Sequence, residues 1–396
     1  MIQFWLFSTP FIWVFTLGRG VITPTIFLSL ILFSSWLFRS RRLGFRFDEL
    51  MLFASFTLVC VTSALLNHSE VRLTHLLALT VTCALFYYFP KIYIISKQTS
   101  SLDFSKSCAL AALMYSAVII IEFCSHNFFG LDFRGGLPMF FDDIPQSMFL
   151  GQFYRARGFA SEPGHAMFSL IMLAILGFYF VSTQKNKISE KAYLSFVFIA
   201  ALATASPVPF LFIPLTIMLA IFLRLIFSGR FGRGNIILYM LTMGSVVVIG
   251  DRLFFGDSGF VQGQIFGKFV SFSMEDRLSR IVSVREFLRG DRFLFGLSPG
   301  ASENVGARTQ LSVYTLILME VGLLGFSILI LFISLQLFKV LKLGNFNGAF
   351  IGLVAILYVI FNGFVINNYY YPAFWLPFIF ASLLVERSRR LNANAQ

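Results

Sequence analysis

Charged residues are scarce in this sequence: Asp, Glu, Lys and Arg make up 13% of 396 residues, whereas apolar residues make up 57%. Soluble domains use about 25% charged residues, so the composition excludes an ordinary water-soluble chain. The mean hydropathy of +0.80 agrees with that exclusion. Phenylalanine alone occurs 52 times, too often for the core of a soluble protein of this size. We therefore expect most of these rings to face lipid or neighbouring helices.

Cysteine is also scarce, and the chain lacks the spacings that disulfide or metal chemistry needs. No C-x-x-C pair occurs, and the nearest approach to a cluster of acids such as D-x-D is Asp142-Asp143. The sequence therefore predicts no cofactor and an activity independent of metal ions. The cysteines lie in or beside apolar runs and are expected to be small buried residues. They are Cys60, Cys83, Cys108 and Cys124.

A cleavable signal peptide is not expected, because the first apolar run has neither a basic start nor a small-residue cleavage site.

The net charge of +12 would suggest a nucleic-acid partner in a soluble protein. Here the excess cations lie in loops between apolar segments, where they set the orientation in the membrane. No nucleic-acid partner is therefore expected.

The apolar runs predict an all-α polytopic membrane protein with about twelve transmembrane helices in a single domain, residues 1–396. A helix needs about 20 apolar residues to cross the hydrocarbon. Breaks at Gly18-Arg19-Gly20 and Ser206-Pro207 divide the runs 2–38 and 192–227, although each run could be one long or re-entrant element. The predicted spans are 2–17, 21–38, 50–66, 71–96, 107–125, 164–182, 192–205, 207–227, 235–250, 310–338, 349–366 and 373–385.

Basic residues in the short loops predict the orientation. One set of alternate loops carries seventeen Lys and Arg, and the other set carries only Arg19 and Arg72. The positive-inside rule places the first set, and with it both termini, in the cytoplasm. Two long loops, 126–163 and 251–309, then lie outside, on the opposite side of the membrane. The second contains eight basic residues, so we expect the function to lie in these outer loops.

The first candidate constellation lies where the first long loop enters a span. Arg155 and Arg157 precede Glu162, Pro163 and His165. Pro163 suits a first helical turn, and Glu162 would lie beside the positive end of the helix dipole. A membrane-interface cap, with arginines at lipid headgroups, would explain the same residues.

The second constellation is a helical segment in the second long loop. Drawn at 100° per residue, Arg277, Arg285 and Arg289 fall on the apolar face, and Arg280 lies in the same segment. An interfacial helix that binds lipid phosphates would show this pattern. A helix that covers a cavity and directs its arginines at a bound phosphate group would show it as well.

The third constellation is a glycine turn followed by a span that contains an acid. The turn covers 296–300, and an acid within an apolar span is costly and by default suggests function. Glycines after that acid would let another helix approach closely. The alternative explanation is that the acid only hydrogen-bonds a neighbouring helix. The residues singled out are Glu303, Arg308, Tyr314, Glu320, Gly322 and Gly325.

Taken in order, these pieces resemble the bacterial O-antigen polymerase and O-antigen ligase superfamily. The R-x-x-G…P motif of that family matches Arg155, Gly158 and Pro163. Its second arginine, before a G-x-G-type turn, matches Arg277 before Gly296. Its Y…E-x-G-x-x-G span matches Tyr314, Glu320, Gly322 and Gly325.

There are departures from the family pattern. Leu311 and Ser312 stand where ligases carry His-Asn, the turn reads Gly296-Leu297-Ser298-Pro299-Gly300 rather than G-x-G, and Ser206-Pro207 replaces Ser-Arg. The missing His favours the polymerase branch over the ligase branch and leaves the general base unassigned.

The resemblance implies a GT-C-like architecture and glycosyl transfer from undecaprenyl diphosphate to a sugar hydroxyl of another lipid-linked repeat unit. Arginine donates two hydrogen bonds to phosphate and stays charged, which suits a leaving diphosphate. The expected diphosphate-binding residues are Arg155 and Arg277, then Arg157, Arg280 and Arg285. The candidate bases are Glu162, His165 and Glu303. The tyrosines 369–371 could stack on sugars or anchor the chain at the interface.

Two other functions fit parts of the pattern. An O-antigen ligase would transfer the finished glycan to lipid A core. A flippase for lipid-linked glycan would share the spans and basic cavity, but it would usually show internal repeats, and the sequence shows no convincing one. The partners implied by the resemblance are the lipid-linked oligosaccharide, a chain-length regulator and a flippase of the same pathway.

The distribution of basic residues makes the topology testable. Reporter fusions near Arg42, Lys187 and Arg390 should report the cytoplasm, because these sites lie in or beside the loops rich in Lys and Arg. Fusions near Phe140 and Phe266 should report the periplasm. A periplasmic signal at Lys187 would reverse the orientation.

Overall fold

A computed structural model describes most of the chain, in segments separated by gaps. They are residues 1–10, 15–17, 20–39, 47–67, 72–131, 149–150, 153–160, 162–184, 187–206, 208–227, 292–301, 312–343, 347–365, 367 and 369–394. The structure is 85% helical, as expected for an all-α protein. Five helices in these segments are long and apolar enough to cross a membrane; they are Phe47–Leu66, Leu73–Ser96, Ser101–Phe129, Pro163–Thr183 and Val313–Leu341.

The helices follow the predicted spans closely over most of the chain, whereas the predicted span 235–250 lies outside the described residues. They are α1 Ile2–Ser8, α2 Pro24–Arg39, α3 Phe47–Leu66, α4 Leu73–Ser96, α5 Ser101–Phe129, α6 Pro163–Thr183, α7 Lys187–Thr204, α8 Val208–Phe227, α9 Arg292–Phe295, α10 Val313–Leu341, α11 Asn347–Gly363 and α12 Pro372–Asn394. Two short antiparallel hairpins pair β1 Phe15–Leu17 with β2 Gly20–Ile22, and β3 Phe149–Leu150 with β4 Phe153–Tyr154.

The prediction of one helical span over 2–17 is wrong. Helix α1 ends at Ser8, and Phe15–Leu17 form a strand that pairs with Gly20–Ile22. Pro10 stands one residue beyond the C-cap position of the helix end, after Thr9, and a proline has no N–H with which to continue the helical hydrogen bonds. The first apolar run is therefore a short helix and a hairpin before α2.

Helix α4 contains a π-turn, Ala84–Tyr88, in which the N–H of Phe89 donates to the carbonyl of Ala84. Pro90 follows the turn and cannot donate to the carbonyl four residues earlier, which favours the wider turn. Two successive tyrosines of the π-turn reach the start of α3. The hydroxyl of Tyr87 donates to Glu49 Oε2 at 2.8 Å, and that of Tyr88 donates to the Glu49 carbonyl at 2.5 Å.

Glu49 is the centre of a buried ionic network that joins three helices. The carboxylate is 2% exposed and accepts hydrogen bonds from Lys91 of α4, and from Lys339 at 2.7 Å and Gln336 at 3.2 Å in α10. A buried charge costs several kcal/mol unless it is paired and hydrogen-bonded. The network therefore fixes how α3, α4 and α10 pack at one end of the bundle.

Helices α5 and α6 approach each other very closely. A Cβ at Gly177 would lie 2.6 Å from the Ala109 Cα, and Ser105 Oγ donates to the Leu176 carbonyl at 2.5 Å. Small residues and interhelical hydroxyl bonds are the usual means of packing helices in membranes.

Large apolar side chains lie on the outside of the protein. Leu58 and Leu65 of α3 are exposed by 66% and 72%, as lipid contact would allow.

Glu49→Gln should destabilise the protein strongly, because Lys91 and Lys339 would lose their buried carboxylate. Breaking a buried pair costs about 3–5 kcal/mol, so the melting temperature in detergent should fall by several degrees. Glu386→Gln is the matched control, since Glu386 pairs with the half-exposed Arg390, and exposed pairs contribute about 0–1 kcal/mol. Equal melting temperatures for the two variants would show that the network does not hold the helices together.

Candidate functional site

The arginine loop, Arg155–Gly158, lies between strand β4 and helix α6. Gly158 adopts a φ of +55°, a conformation that glycine takes without cost. A Cβ at this position would lie 2.5 Å from Cε2 of Tyr115 in α5. The glycine of the R-x-x-G motif is therefore required by both the backbone and the packing.

A buried carboxylate in α5 holds the arginine loop. Glu122 is 2% exposed, and its Oε2 accepts hydrogen bonds from the backbone N–H groups of Arg157 at 3.1 Å and Gly158 at 2.6 Å. Its Oε1 accepts the Tyr154 hydroxyl at 2.8 Å, and the Tyr115 hydroxyl donates to the Arg157 carbonyl at 3.2 Å. Backbone and side chains thus fix the loop before any ligand binds.

Sequence reasoning did not single out Glu122. The signal was present, because Glu122 is an acid within an apolar helix, the same feature that drew attention to Glu320.

Arg155 is the more accessible of the two arginines. Its Nε donates to the carbonyl of Thr204, at the end of α7, at 3.3 Å, and the residue is partly buried, whereas Arg157 is 2% exposed. Partial burial lowers the pKa of Arg155, and the Glu162 carboxylate opposes that shift. Glu162 is the N-cap residue of α6, as predicted, with an exposed side chain that makes no capping hydrogen bond. The structure therefore brings Arg155 and Glu162 together.

His165, in the first turn of α6, contacts the tyrosine segment that precedes α12. Its Nδ1 lies 3.0 Å from the Tyr371 hydroxyl, and the two rings are 4.5 Å apart. Tyr369 is 1% exposed and donates to the Leu79 carbonyl at 2.7 Å. The expectation that this tyrosine stacks on sugars or anchors the interface is therefore wrong for Tyr369, which belongs to the core.

A second arrangement, the kink cluster, forms where Gly322 interrupts α10 with a φ of 74° and a ψ of −171°. The interruption takes helical N–H donors away from the carbonyls that precede Gly322. N–H groups of the turn after α9 donate to these carbonyls instead. The N–H of Leu297 donates to Met319 at 2.8 Å, and that of Ser298 donates to Glu320 at 3.1 Å. Two motifs that stand apart in the sequence are thus one structural unit.

Glycine is required at two positions of this unit because the backbones nearly touch. A Cβ at Gly296 would lie 2.5 Å from the Glu320 carbonyl carbon, and one at Gly322 would lie 2.4 Å from the Gly296 nitrogen. As predicted for the glycines after Glu320, Gly322 admits a neighbouring helix, because its Cβ would also lie 2.4 Å from the Leu294 carbonyl oxygen of the short helix α9. Ser298 has a φ of 115°, which is uncommon and strained for a residue other than glycine. It occupies the second glycine place of the G-x-G pattern.

The carboxylate of Glu320 lies beneath the kink and is fully buried. Its Oε1 is 3.9 Å from Nδ1 of His75 in α4, whose side chain is 24% exposed. Burial and the Glu320 carboxylate together hold the pKa of Tyr370 well above its usual value. Because Tyr370 adjoins Tyr371, which contacts His165, the tyrosine segment links the kink cluster to the first turn of α6.

The remaining predicted site residues divide into two groups. Tyr314 is 7% exposed and its hydroxyl donates to the Ile360 carbonyl at 2.9 Å, so it joins α10 to α11 and is structural. The others lie outside the described residues; they are Arg277, Arg280, Arg285, Glu303 and Arg308.

Comparison with known proteins gives no family for the chain. No family model matches it, and no curated protein matches it. The resemblance to the O-antigen polymerase and ligase superfamily therefore stands as a prediction from the motifs.

Gly322→Ala should destabilise the protein, because the new Cβ would collide with backbone atoms of the turn at 2.4 Å and the positive φ would be strained. We expect a clear fall in the melting temperature of the detergent-solubilised protein. Gly352→Ala is the control, since its Cβ would meet side chains rather than backbone, the nearest being Leu384 Cδ1 at 3.2 Å, and alanine favours a helix interior. A Gly322→Ala variant as stable as Gly352→Ala would contradict the docking of the turn on the kink.

Proposed function

We propose that the chain is a polysaccharide polymerase of the bacterial inner membrane, a multi-pass protein of about twelve spans with both termini cytoplasmic. It transfers a glycan from undecaprenyl diphosphate to a sugar hydroxyl of another lipid-linked repeat unit at the periplasmic face, without a metal ion. A flippase and a chain-length regulator of the same pathway would be its partners.

The observation that carries the proposal is the construction of the arginine loop. The backbone of the loop is fixed by Glu122, Tyr115 and the left-handed Gly158, and Arg155 remains partly accessible beside the start of α6. A cation whose surroundings are set in advance stabilises charge that develops during a reaction without the cost of reorganisation. Such a loop suits the binding of an anionic leaving group.

In the proposed reaction the acceptor hydroxyl is the nucleophile, and a cation stabilises the leaving diphosphate. The acceptor oxygen attacks the anomeric carbon, the bond from that carbon to the diphosphate oxygen breaks, and the electron pair leaves with the diphosphate. Arg155 meets the increasing negative charge with its planar guanidinium. The carboxylate of Glu162 lies near enough to interact with Arg155, so it helps to orient that side chain.

Polymerase is favoured over ligase by the sequence before Tyr314, where Leu311 and Ser312 replace the His-Asn of ligases. A flippase would bind the same lipid-linked glycan and break no bond. The lipid-linked glycans of a deletion strain distinguish the three functions. Single repeat units would indicate a polymerase, long chains still on the lipid a ligase, and loss of outward-facing units a flippase.

Arg155→Ala should nearly abolish polymer in a complemented deletion strain, because loss of one preorganised charge donor typically costs about 10²–10³ in rate. Arg155→Lys should restore little, since lysine keeps the charge and loses the bidentate geometry. Polymer length and amount are read from gels of the extracted glycan, with the protein level in membranes measured in parallel.

Arg390→Ala is the matched control for these variants. Arg390 is half exposed and pairs with Glu386 in the same helix, at the opposite end of the bundle from Arg155, so polymer should be normal. Near-normal polymer from Arg155→Lys would contradict the bidentate role of Arg155 and favour the membrane-interface explanation of the loop.

A further inference from the structure

The reaction described above assigns no role to the pair formed by His75 and Glu320. Its two side chains come from α4 and α10, and Nδ1 of His75 lies 3.9 Å from Oε1 of Glu320. The pair lies beside Tyr370, whose neighbour Tyr371 contacts His165 at the start of α6. Tyr370 and Tyr371 are adjacent, so the tyrosine segment connects the pair to the first turn of α6, the helix that follows the arginine loop.

The backbone of Glu320 takes part in holding the kink. Its carbonyl accepts hydrogen bonds from the Ser298 N–H at 3.1 Å and from Ser63 Oγ at 2.9 Å. The carboxylate itself is fully buried, and a buried ionisable group in a membrane helix is costly and suggests function. The carboxylate is the part of Glu320 that approaches His75.

The partial exposure of His75 gives the pair access to a ligand. The imidazole is 24% exposed, whereas Glu320 is 0% exposed, so a molecule at the surface can meet the ring while the acid stays behind it. A carboxylate that lies behind a histidine, on the side away from the ligand, fixes the tautomer of the ring and stabilises its charged form. The other titratable or charged groups that face the pair, within the described segments, are Arg72, Cys60 and Tyr370.

Two hydroxyl groups beside the pair support a polar ligand at this place. Those of Ser298 and Tyr370 are buried and have no hydrogen-bond partner within the described residues. Ser298 is also held at a strained φ of 115°. Buried polar groups are nearly always satisfied in folded proteins, and backbone strain concentrates at functional sites. A molecule that presents several hydroxyl groups, such as a sugar, would satisfy them.

We propose that the His75–Glu320 pair binds the acceptor sugar and that His75 is the general base of the transfer, an assignment that rests on the proposed function. As the acceptor oxygen forms its bond to the anomeric carbon, Nε2 of His75 takes the hydroxyl proton and the diphosphate departs with the electron pair of the broken bond. Glu320 stabilises the imidazolium that results. The distance of 3.9 Å is consistent with this role, because catalytic hydrogen bonds are often long before substrate binds.

The test uses the purified full-length protein with single lipid-linked repeat units extracted from the deletion strain. His75→Gln should lower kcat by about 10²–10³, within the range that general bases contribute, and should leave the KM for the repeat unit within about threefold. The wild-type rate should fall at acid pH as His75 gains a proton. This acid limb of the pH profile should be absent in His75→Gln.

Glu320→Gln gives a second and more specific result. Without the carboxylate the imidazolium loses its counter-charge while Arg72 still repels it, so the acid limb of kcat should move to lower pH. A merely structural role for Glu320 would lower the amount of folded protein and leave the shape of the profile unchanged. Thr74→Ala is the matched control, because Thr74 adjoins His75 and its side chain is exposed; it should behave like the wild type.

The outcomes separate this assignment from the proposed function. Normal kcat in His75→Gln, an acid limb that persists in that variant, or an unshifted limb in Glu320→Gln would overturn the general-base role, even if Arg155→Ala abolishes polymer. Absence of any transfer by the wild-type protein, with lipid-linked long chains in the deletion strain, would overturn the polymerase function itself.

Discussion

Backbone polar groups inside a membrane must find partners within the protein, because lipid offers none. This constraint explains why the two distant glycine motifs form one unit. Where Gly322 interrupts α10, the carbonyls of Met319 and Glu320 are satisfied by the turn at Leu297 and Ser298. Only glycine at positions 296 and 322 permits that approach. The position of the Glu320 side chain, and hence of its contact with His75, follows from this docking.

The same constraint governs the arginine loop, although the partner there is a side chain. The Arg157 and Gly158 N–H groups donate to Glu122, a buried acid from the middle of α5. These charge-assisted hydrogen bonds fix the backbone of the loop, and the side chain of Arg155 stays partly exposed. At the other end of the bundle, Glu49 is neutralised by two lysines. Buried acids therefore have two roles in this protein, bracing a loop and joining helices.

The sequence predicts the helical class and most helix positions because apolar length is a strong signal. It fails at 2–17, where Pro10 ends a helix that hydropathy alone would continue. The candidate site is predicted in part. Arg155, Glu162 and Glu320 lie in special local structures, whereas Tyr314 is structural. Glu122 carries a signal as an acid within an apolar helix, but the loop that it holds is not visible in the sequence. The role of His75 and the contact between Gly296 and Gly322 depend on which segments are neighbours, and a single sequence contains no direct signal for that.

The central claim is that this chain breaks the bond between a glycan and a lipid diphosphate without a metal ion. The most direct measurement incubates the purified protein with undecaprenyl-diphosphate-linked repeat units in excess EDTA and quantifies the products by mass spectrometry. The account predicts glycans that grow by whole repeat units, with one undecaprenyl diphosphate released for each bond formed. Intact substrate after incubation, or activity that appears only when Mg²⁺ or Mn²⁺ replaces EDTA, would contradict it.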